Sequence, residues 1–252
     1  MKTISICYLT LLLLLVGTSL RAQDLRGNVG KGLLVNMAYG MQMPEGDLKD
    51  RFGTNFAVTL GTDWITNDNW LAGVEGSLLF GNEVKQDVLA DIRDDRGNIF
   101  SSDLSIAFVE LRQRGLVIGG HVGRLFSLSK KNKRSGIRLT VGASFFQHKI
   151  RVQEDPQAFV PQIAGEYEKG YDRLSNGFAL KQFLGYQLLS RNRRINFTAG
   201  FDFIQGFTTN QRSWDFNTRQ KIDQKRFDVL LGFHLGWTLP FYFGGNEDEI
   251  YY

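Results

Sequence analysis

The stretch RFDVLLGFHLGWTLPFYF, residues 226–243, places nine apolar residues at alternate positions from Phe227 to Phe243. Between them stand Asp228, Leu230, Gly232, His234, Gly236, Thr238, Pro240 and Tyr242. Strict alternation is the period of a β-strand, whose successive side chains point to opposite faces. One face is thus wholly apolar and rich in aromatics, and the other is mostly small and polar. A strand that shows its greasy face to lipid and its polar face to a narrow interior reads this way.

The same alternation recurs along the chain. In LLVNMAYGMQ, near 33–42, Leu33, Val35, Met37, Tyr39 and Met41 oppose Leu34, Asn36, Ala38, Gly40 and Gln42. Further segments lie near 54–64, 70–82, 137–150, 176–190 and 195–210; a stretch near 112–127 alternates least cleanly. Short polar connections (66–69, 129–135, 190–194) alternate with longer ones (about 43–53, 83–111, 151–174, 211–224). Together these predict an all-β protein: an eight-stranded antiparallel transmembrane up-and-down β-barrel with short periplasmic turns, long outer loops and both termini in the periplasm. Trp64, Trp70 and Trp237 fall near the short-turn end, where an aromatic girdle belongs, whereas Trp214 lies in an outer loop. A soluble lipocalin-like barrel is the structural alternative, but its interior would have to be filled by the small and charged face.

The N-terminus adds a secretion signal. Met1 and Lys2 precede an apolar run ending in LLLLLVG, then TSLRAQ, which predicts a signal peptide over 1–22 and a barrel over 23–252. Cys7, the single cysteine, falls inside that signal, so a mature disulfide, thiol nucleophile or lipid anchor is not expected. Losing Lys2 and Arg21 takes the formal charge from +4 to about +2, a weak pointer to any polyanion and none to nucleic acid.

On the inward face the sequence places Glu75, Lys181, Asp202, Asp228 and His234. A tight SRNRR turn sets Lys181 opposite Ile204 and diagonal to Asp202, and pairing of the last two strands brings Asp202 near Gly232 or His234. A proton relay or a hydrolytic Asp–His pair would use such a strip. An ion-paired plug is the reading favoured here, because an eight-strand barrel is just wide enough for its own side chains. That geometry also argues against a diffusion pore. Of the three histidines, His148 is expected near the outer rim, best placed to meet lipid headgroups, but no serine or acid is tied to it by spacing. No metal ligand set is legible, and GGHVG at 119–123 lacks the strand–loop–helix context of a nucleotide loop. No catalytic, cofactor-binding or metal-binding residue is assigned, and a non-enzymatic role is expected; the alternatives are a lipid-modifying outer-membrane enzyme using His148, and an adhesin or general structural barrel.

Two basic turns are candidate contact surfaces. Lys130, Lys131, Lys133 and Arg134 occupy one, and Arg191, Arg193 and Arg194 the next; both suit anionic headgroups or an acidic periplasmic protein. Tyr167, Tyr171, Asp172 and Arg173 in the loop over 160–177 are candidate interface anchors.

Two resemblances follow. His234, Gly236, Leu239 and Phe241 resemble the assembly signal in the last strand of outer-membrane barrels, which implies recognition by the barrel-assembly machinery; here the chain continues to Tyr252. GDLKDRFG (46–53), QHKIRV (147–152), VPQIAGEYEKGYDRLSNG (160–177) and GWTLPFYF (236–243) resemble a family of small Bacteroidota outer-membrane barrels, most like the PorG-type accessory barrel of the type IX secretion system and next the PorT-like barrels. The resemblance implies a noncatalytic barrel in contact with outer-membrane lipid and with a periplasmic ring of secretion proteins. It supplies no residue-level functional motif.

Overall fold

A computed structural model describes residues 28, 30–154, 159–190, 195–221 and 224–243. The expected signal peptide, Arg191, Arg193, Arg194 and the C-terminal NEDEIYY (246–252) lie outside the described residues. Ten strands run in chain order: β1 (Lys31–Gly46), β2 (Asn55–Ile65), β3 (Trp70–Gly81), β4 (Ile99–Phe100), β5 (Ile106–Ala107), β6 (Val109–Ser127), β7 (Ser135–Glu154), β8 (Ser175–Leu189), β9 (Asn196–Asn210) and β10 (Lys225–Phe243). Eight of them close one antiparallel ring in the order β1-β10-β9-β8-β7-β6-β3-β2, and β4 and β5 form a small hairpin in the connection from β3 to β6. Closure pairs β10 with β1 from Lys31–Phe243 to Gly46–Asp228, which leaves the ring without a free edge.

The surface is inverted relative to a soluble protein. Leu60, Val74, Leu78, Phe201 and Leu235 stand outward and are 58–66% exposed, while the inward Leu34, Leu79 and Ile204 are at 0–1%. This apolar face continues around all eight strands, far beyond the few hundred Å² that a soluble monomer tolerates. It is the face of a transmembrane barrel. At the short-turn end Trp64 stacks on Phe243 with centroids 5.8 Å apart, and the Arg124 guanidinium lies 5.2 Å from the Trp70 ring.

β6 obeys the alternation despite its uneven sequence. Gln113, Val117, His121 and Leu125 point inward, and Leu116, Ile118, Val122 and Phe126 outward; the pattern is obscured because Gly120 and three arginines share the outward row. β6 starts at Val109 rather than 112, and β7 runs to Glu154 rather than 150. Both therefore outrun their other neighbours, since β3 stops with Gly81 opposite Gln113 and β8 starts with Ser175 opposite His148.

Apolar clusters close both mouths. At the long-loop end, Leu48 and Phe52 from the first loop, Val88, Leu89 and Ile99 from the second, and Val160 and Ile163 from the third pack onto the inward Leu79, Val117, Phe146, Ile150 and Leu230. At the short-turn end Leu34, Ile65, Leu71, Leu125 and Leu189 form a second cluster, with Tyr242 against it. Apolar residues dispersed through loops have no period, so this cap is invisible to a reading based on alternation.

Candidate functional site

Between the two apolar layers lies a polar one. Lys181 Nζ is 2.8 Å from Glu75 and 3.4 Å from Asp202, and His234 Nδ1 lies 2.5 Å from the other Asp202 oxygen. The His234 ring stacks on Phe183 at 4.6 Å. Beside this strip is a second group: Asp63 receives Arg138 at 2.8 Å, His121 at 2.5 Å and the Asn36 amide at 2.6 Å. Thr238 donates to Asn36 at 2.8 Å, and Arg138 reaches Gln187 at 3.3 Å. A cavity of about 40 Å³ lined by Asn36, Glu75, His121, Arg138, Asp202 and His234 separates the groups, with room for water to reach their remaining polar atoms.

The ladder explains how such bulky groups fit. Glu75 sits between Gly61 and Gly119, His121 between Gly73 and Gly142, and His234 between Gly40 and Gly200. Asp63, Arg138, Lys181 and Asp202 each face one glycine as well: Gly73, Gly185, Gly142 and Gly232. A side chain on Gly61 would bring its Cβ to 2.9 Å from that of Glu75, and on Gly142 to 2.7 Å from that of His121. Charge and absence of a side chain are thus paired across strands.

Asp228 does not join this strip. It lies nearer the long-loop end, 2.9 Å from His148 and 3.1 Å from Arg226, and accepts a hydrogen bond from Thr208. His148 itself is a correction: it is wholly buried, enclosed by Phe52 and Phe146 at 5.8 and 5.2 Å, and faces no headgroup. Its even position on β7 puts it on the inward face, and the Phe52 loop folds over it. Arg51, from that loop, donates to the Arg173 carbonyl and to Ser175, each at 3.1 Å. Burial first, then Arg226 and Arg173, push the Arg51 pKa down to about 9 against the opposing pull of Asp228, which leaves it cationic at neutral pH.

Arg134 is a second correction. Unlike the exposed Lys130, Lys131 and Lys133, it turns in under the barrel mouth and is buried. It donates to the Thr66 carbonyl and the Asn69 side chain at 2.7 Å each, to the Asn28 carbonyl at 3.3 Å and to the Gly30 carbonyl. Asn69, at φ 65°, in turn donates to the Lys133 carbonyl at 2.9 Å, so two short turns are tied together. Arg134 is therefore occupied and unable to meet a partner. Among the loop anchors, Tyr171, Asp172 and Arg173 are also buried, held by Phe216, Arg212 and Asp215, and only Tyr167 is exposed. In β10 His234 and Gly236 face inward, and Leu239 and Phe241 outward. Among the described residues no group of three or more His, Cys, Asp or Glu is set to hold a metal.

Asp63, His121 and Arg138 are the site residues that sequence reasoning missed. His121 and Arg138 alternate with apolar neighbours as inward residues should, but their convergence on Asp63 depends on the registers of β2 and β6 on either side of β3. No family model matches the sequence, nor does any curated protein. Among solved structures, Neisserial surface protein A is similar at 10% identity with TM-score 0.43, over 83% of this chain and 98% of that one. Ail, the attachment invasion locus protein of Yersinia pestis, in complex with sucrose octasulfate, gives 10% and 0.40 over 83% and 99%. OprG from Pseudomonas aeruginosa gives 8% and 0.37 over 88% and 100%. Likenesses this distant carry no inference about ligands or partners; the barrel class rests on the closed ring and its apolar outer face.

Proposed function

We propose that this chain is a non-enzymatic outer-membrane barrel that anchors a protein-secretion assembly, with the short turns and both termini in the periplasm and the long loops outside. The observation that carries the reading is the filled interior. Two apolar layers and an ion-paired layer between them fill the described interior, which favours the two ends as working surfaces. At the periplasmic end Lys130, Lys131 and Lys133 are free to meet an acidic ring protein or headgroups, while Arg134 holds their turn in place. His234, Gly236, Leu239 and Phe241 serve as the assembly signal. The type IX-like assignment comes from the sequence resemblance. Deletion of the gene, with crosslinking and purification of the membrane-extracted protein, tests it: secreted cargo should fall and periplasmic ring proteins should co-purify. Normal secretion with no crosslinked partner refutes it.

An adhesin is the second reading, favoured by one observation. Leu104, Ile106, Phe108 and Phe159 at the long-loop end are 52–83% exposed, an apolar tip beyond the lipid-facing belt. Trimming that tip should then impair surface attachment and spare secretion.

A further inference from the structure

The lipid-facing row of β6 runs Phe126, Arg124, Val122, Gly120, Ile118, Leu116, Arg114, Arg112 from the short-turn end outward. On β7 the matching row runs Ile137, Leu139, Val141, Ala143, Phe145, Gln147, Lys149, Arg151. Between Arg124, which lies over the Trp70 ring at the short-turn end, and Arg114 the row holds only Val122, Gly120, Ile118 and Leu116; at about 3.3 Å per residue and a tilt of about 40° that span rises about 25 Å, the height of the hydrocarbon band. Arg114 follows immediately, at headgroup level. Arg114 pairs with Lys149, and Arg112 with Arg151, so four cations face each other two by two on one outward surface.

Like charges directly opposite on a ladder are destabilising unless a counter-anion sits between them. The protein supplies only part of it. Glu110 lies 2.6 Å from Arg112; Glu168 and Asp172 are each 3.9 Å from Lys149, and Asp172 is also held by Arg212. Arg114 and Arg151 have no carboxylate partner among the described residues. Among the described residues no comparable pairing occurs elsewhere on the rim. The outward residues at the long-loop ends of the other strands include Phe56, Phe80, Phe178, Thr209 and Phe227, with Lys225 alone.

We propose that Arg112, Arg114, Lys149 and Arg151 form a binding site for the phosphorylated headgroup of a membrane lipid packed against the β6–β7 face. The acyl chains lie along Leu116, Ile118, Val141 and Phe145, and the phosphate oxygens take the guanidinium groups of Arg114 and Arg151, whose planar donors match phosphate geometry in a way a lysine ammonium does not. The assignment to the outer leaflet rests on the orientation proposed above; the site itself does not.

The test uses the full-length protein in nanodiscs of phosphatidylcholine containing bisphosphorylated lipid A, with lipid retained per barrel counted by native mass spectrometry. Wild type should retain lipid A. Arg114→Gln/Arg151→Gln should reduce retention at least tenfold, Arg114→Lys/Arg151→Lys should fall between, and Lys31→Gln/Lys225→Gln, which removes two exposed cations elsewhere on the lipid-facing rows, should match wild type. Heat-modifiable mobility on SDS gels confirms folding of each variant. Equal retention by wild type and Arg114→Gln/Arg151→Gln overturns the site. An equal loss in Lys31→Gln/Lys225→Gln overturns it in favour of general charge attraction. Displacement of lipid A by millimolar inorganic phosphate overturns the lipid assignment in favour of a soluble anion. Nanodiscs are blind to orientation, which is read separately by labelling Leu104→Cys on intact cells: labelling only after permeabilisation overturns the leaflet assignment and the proposed topology while leaving the site intact.

Discussion

Replacing Lys181 by methionine removes the cation between two carboxylates in the barrel interior. Its Nζ lies 2.8 Å from Glu75 and 3.4 Å from Asp202. At an effective dielectric constant of about 20 these separations correspond to attractions of about 6 and about 5 kcal/mol. Most of that gain is offset by the cost of taking three ions out of water, so the pair energies are not the expected loss. The loss comes from leaving Glu75 and Asp202 without a counter-charge, and for a broken buried pair it is about 3–5 kcal/mol. The protein refolded into lipid vesicles and titrated with urea, with tryptophan fluorescence as the probe, gives the free energy directly. The triple variant Glu75→Gln/Lys181→Met/Asp202→Asn removes all three charges and keeps the volume; its stability should return to within about 1 kcal/mol of wild type. A single variant that loses less than about 1 kcal/mol would show the carboxylates to be well solvated. A triple variant as weak as the single would show packing, and not charge, to be the cause.

Arg134→Met should cost about 3 kcal/mol in the same titration, because charged donors to buried carbonyls are worth more than neutral ones, whereas the Lys130→Gln/Lys131→Gln/Lys133→Gln variant should stay within about 0.5 kcal/mol. Deleting residues 85–106 removes the β4–β5 hairpin but not the leucine cluster or the ion-paired layer, so the variant should remain non-conducting in planar bilayers; ohmic conductance would place the seal in the loops. Phe201→Lys, in mid-belt, should cost about 2–4 kcal/mol, and Phe243→Lys, at the short-turn edge, about 0–1. Equal costs at the two positions would contradict the placement of the lipid belt.

The lipid face was legible in the sequence because its signal is local. A period of two needs only one strand to be seen, and Val35 to Met41, Phe197 to Phe207 and Phe227 to Phe243 each carry it alone. Pairwise register was legible across the short connection from β8 to β9, where Lys181 stands opposite Ile204; across the long 211–224 connection the sequence left Asp202 near Gly232 or His234, and the ladder sets it opposite Gly232. What escaped was everything that depends on more than one register or on loops. Asp63, His121 and Arg138 lie on β2, β6 and β7; Asp63 and His121 reach each other over Gly73 of the intervening β3, a contact that needs two registers to be known at once. His148 was assigned to the rim from its distance along the strand, while its side is set by parity and its burial by Phe52, nearly a hundred residues earlier. Arg134 looked like one more basic residue of a solvated turn; its four oxygen partners come from two other segments and have no sequence signature.

Register gives the charged layer a role beyond filling space. A one-residue slip of β10 against its neighbours would send Asp228 and His234 into lipid and nine apolar residues inward, which the hydrocarbon band forbids. A two-residue slip keeps the faces and is the harder error to exclude, since leucines and phenylalanines repeat every second residue. The glycines exclude it. Moving β8 two residues along β7 takes Gly185 away from Arg138 and puts Phe183 or Gln187 in its place; the same slip of β3 against β2 moves Gly61 away from Glu75 and sets Thr59 or Asp63 opposite it. Each such slip places a bulky or like-charged side chain where the barrel has room for none. The polar layer therefore does what an apolar plug of equal volume would not: it distinguishes the native register from its nearest lipid-compatible neighbour, at positions where the lipid face is indifferent.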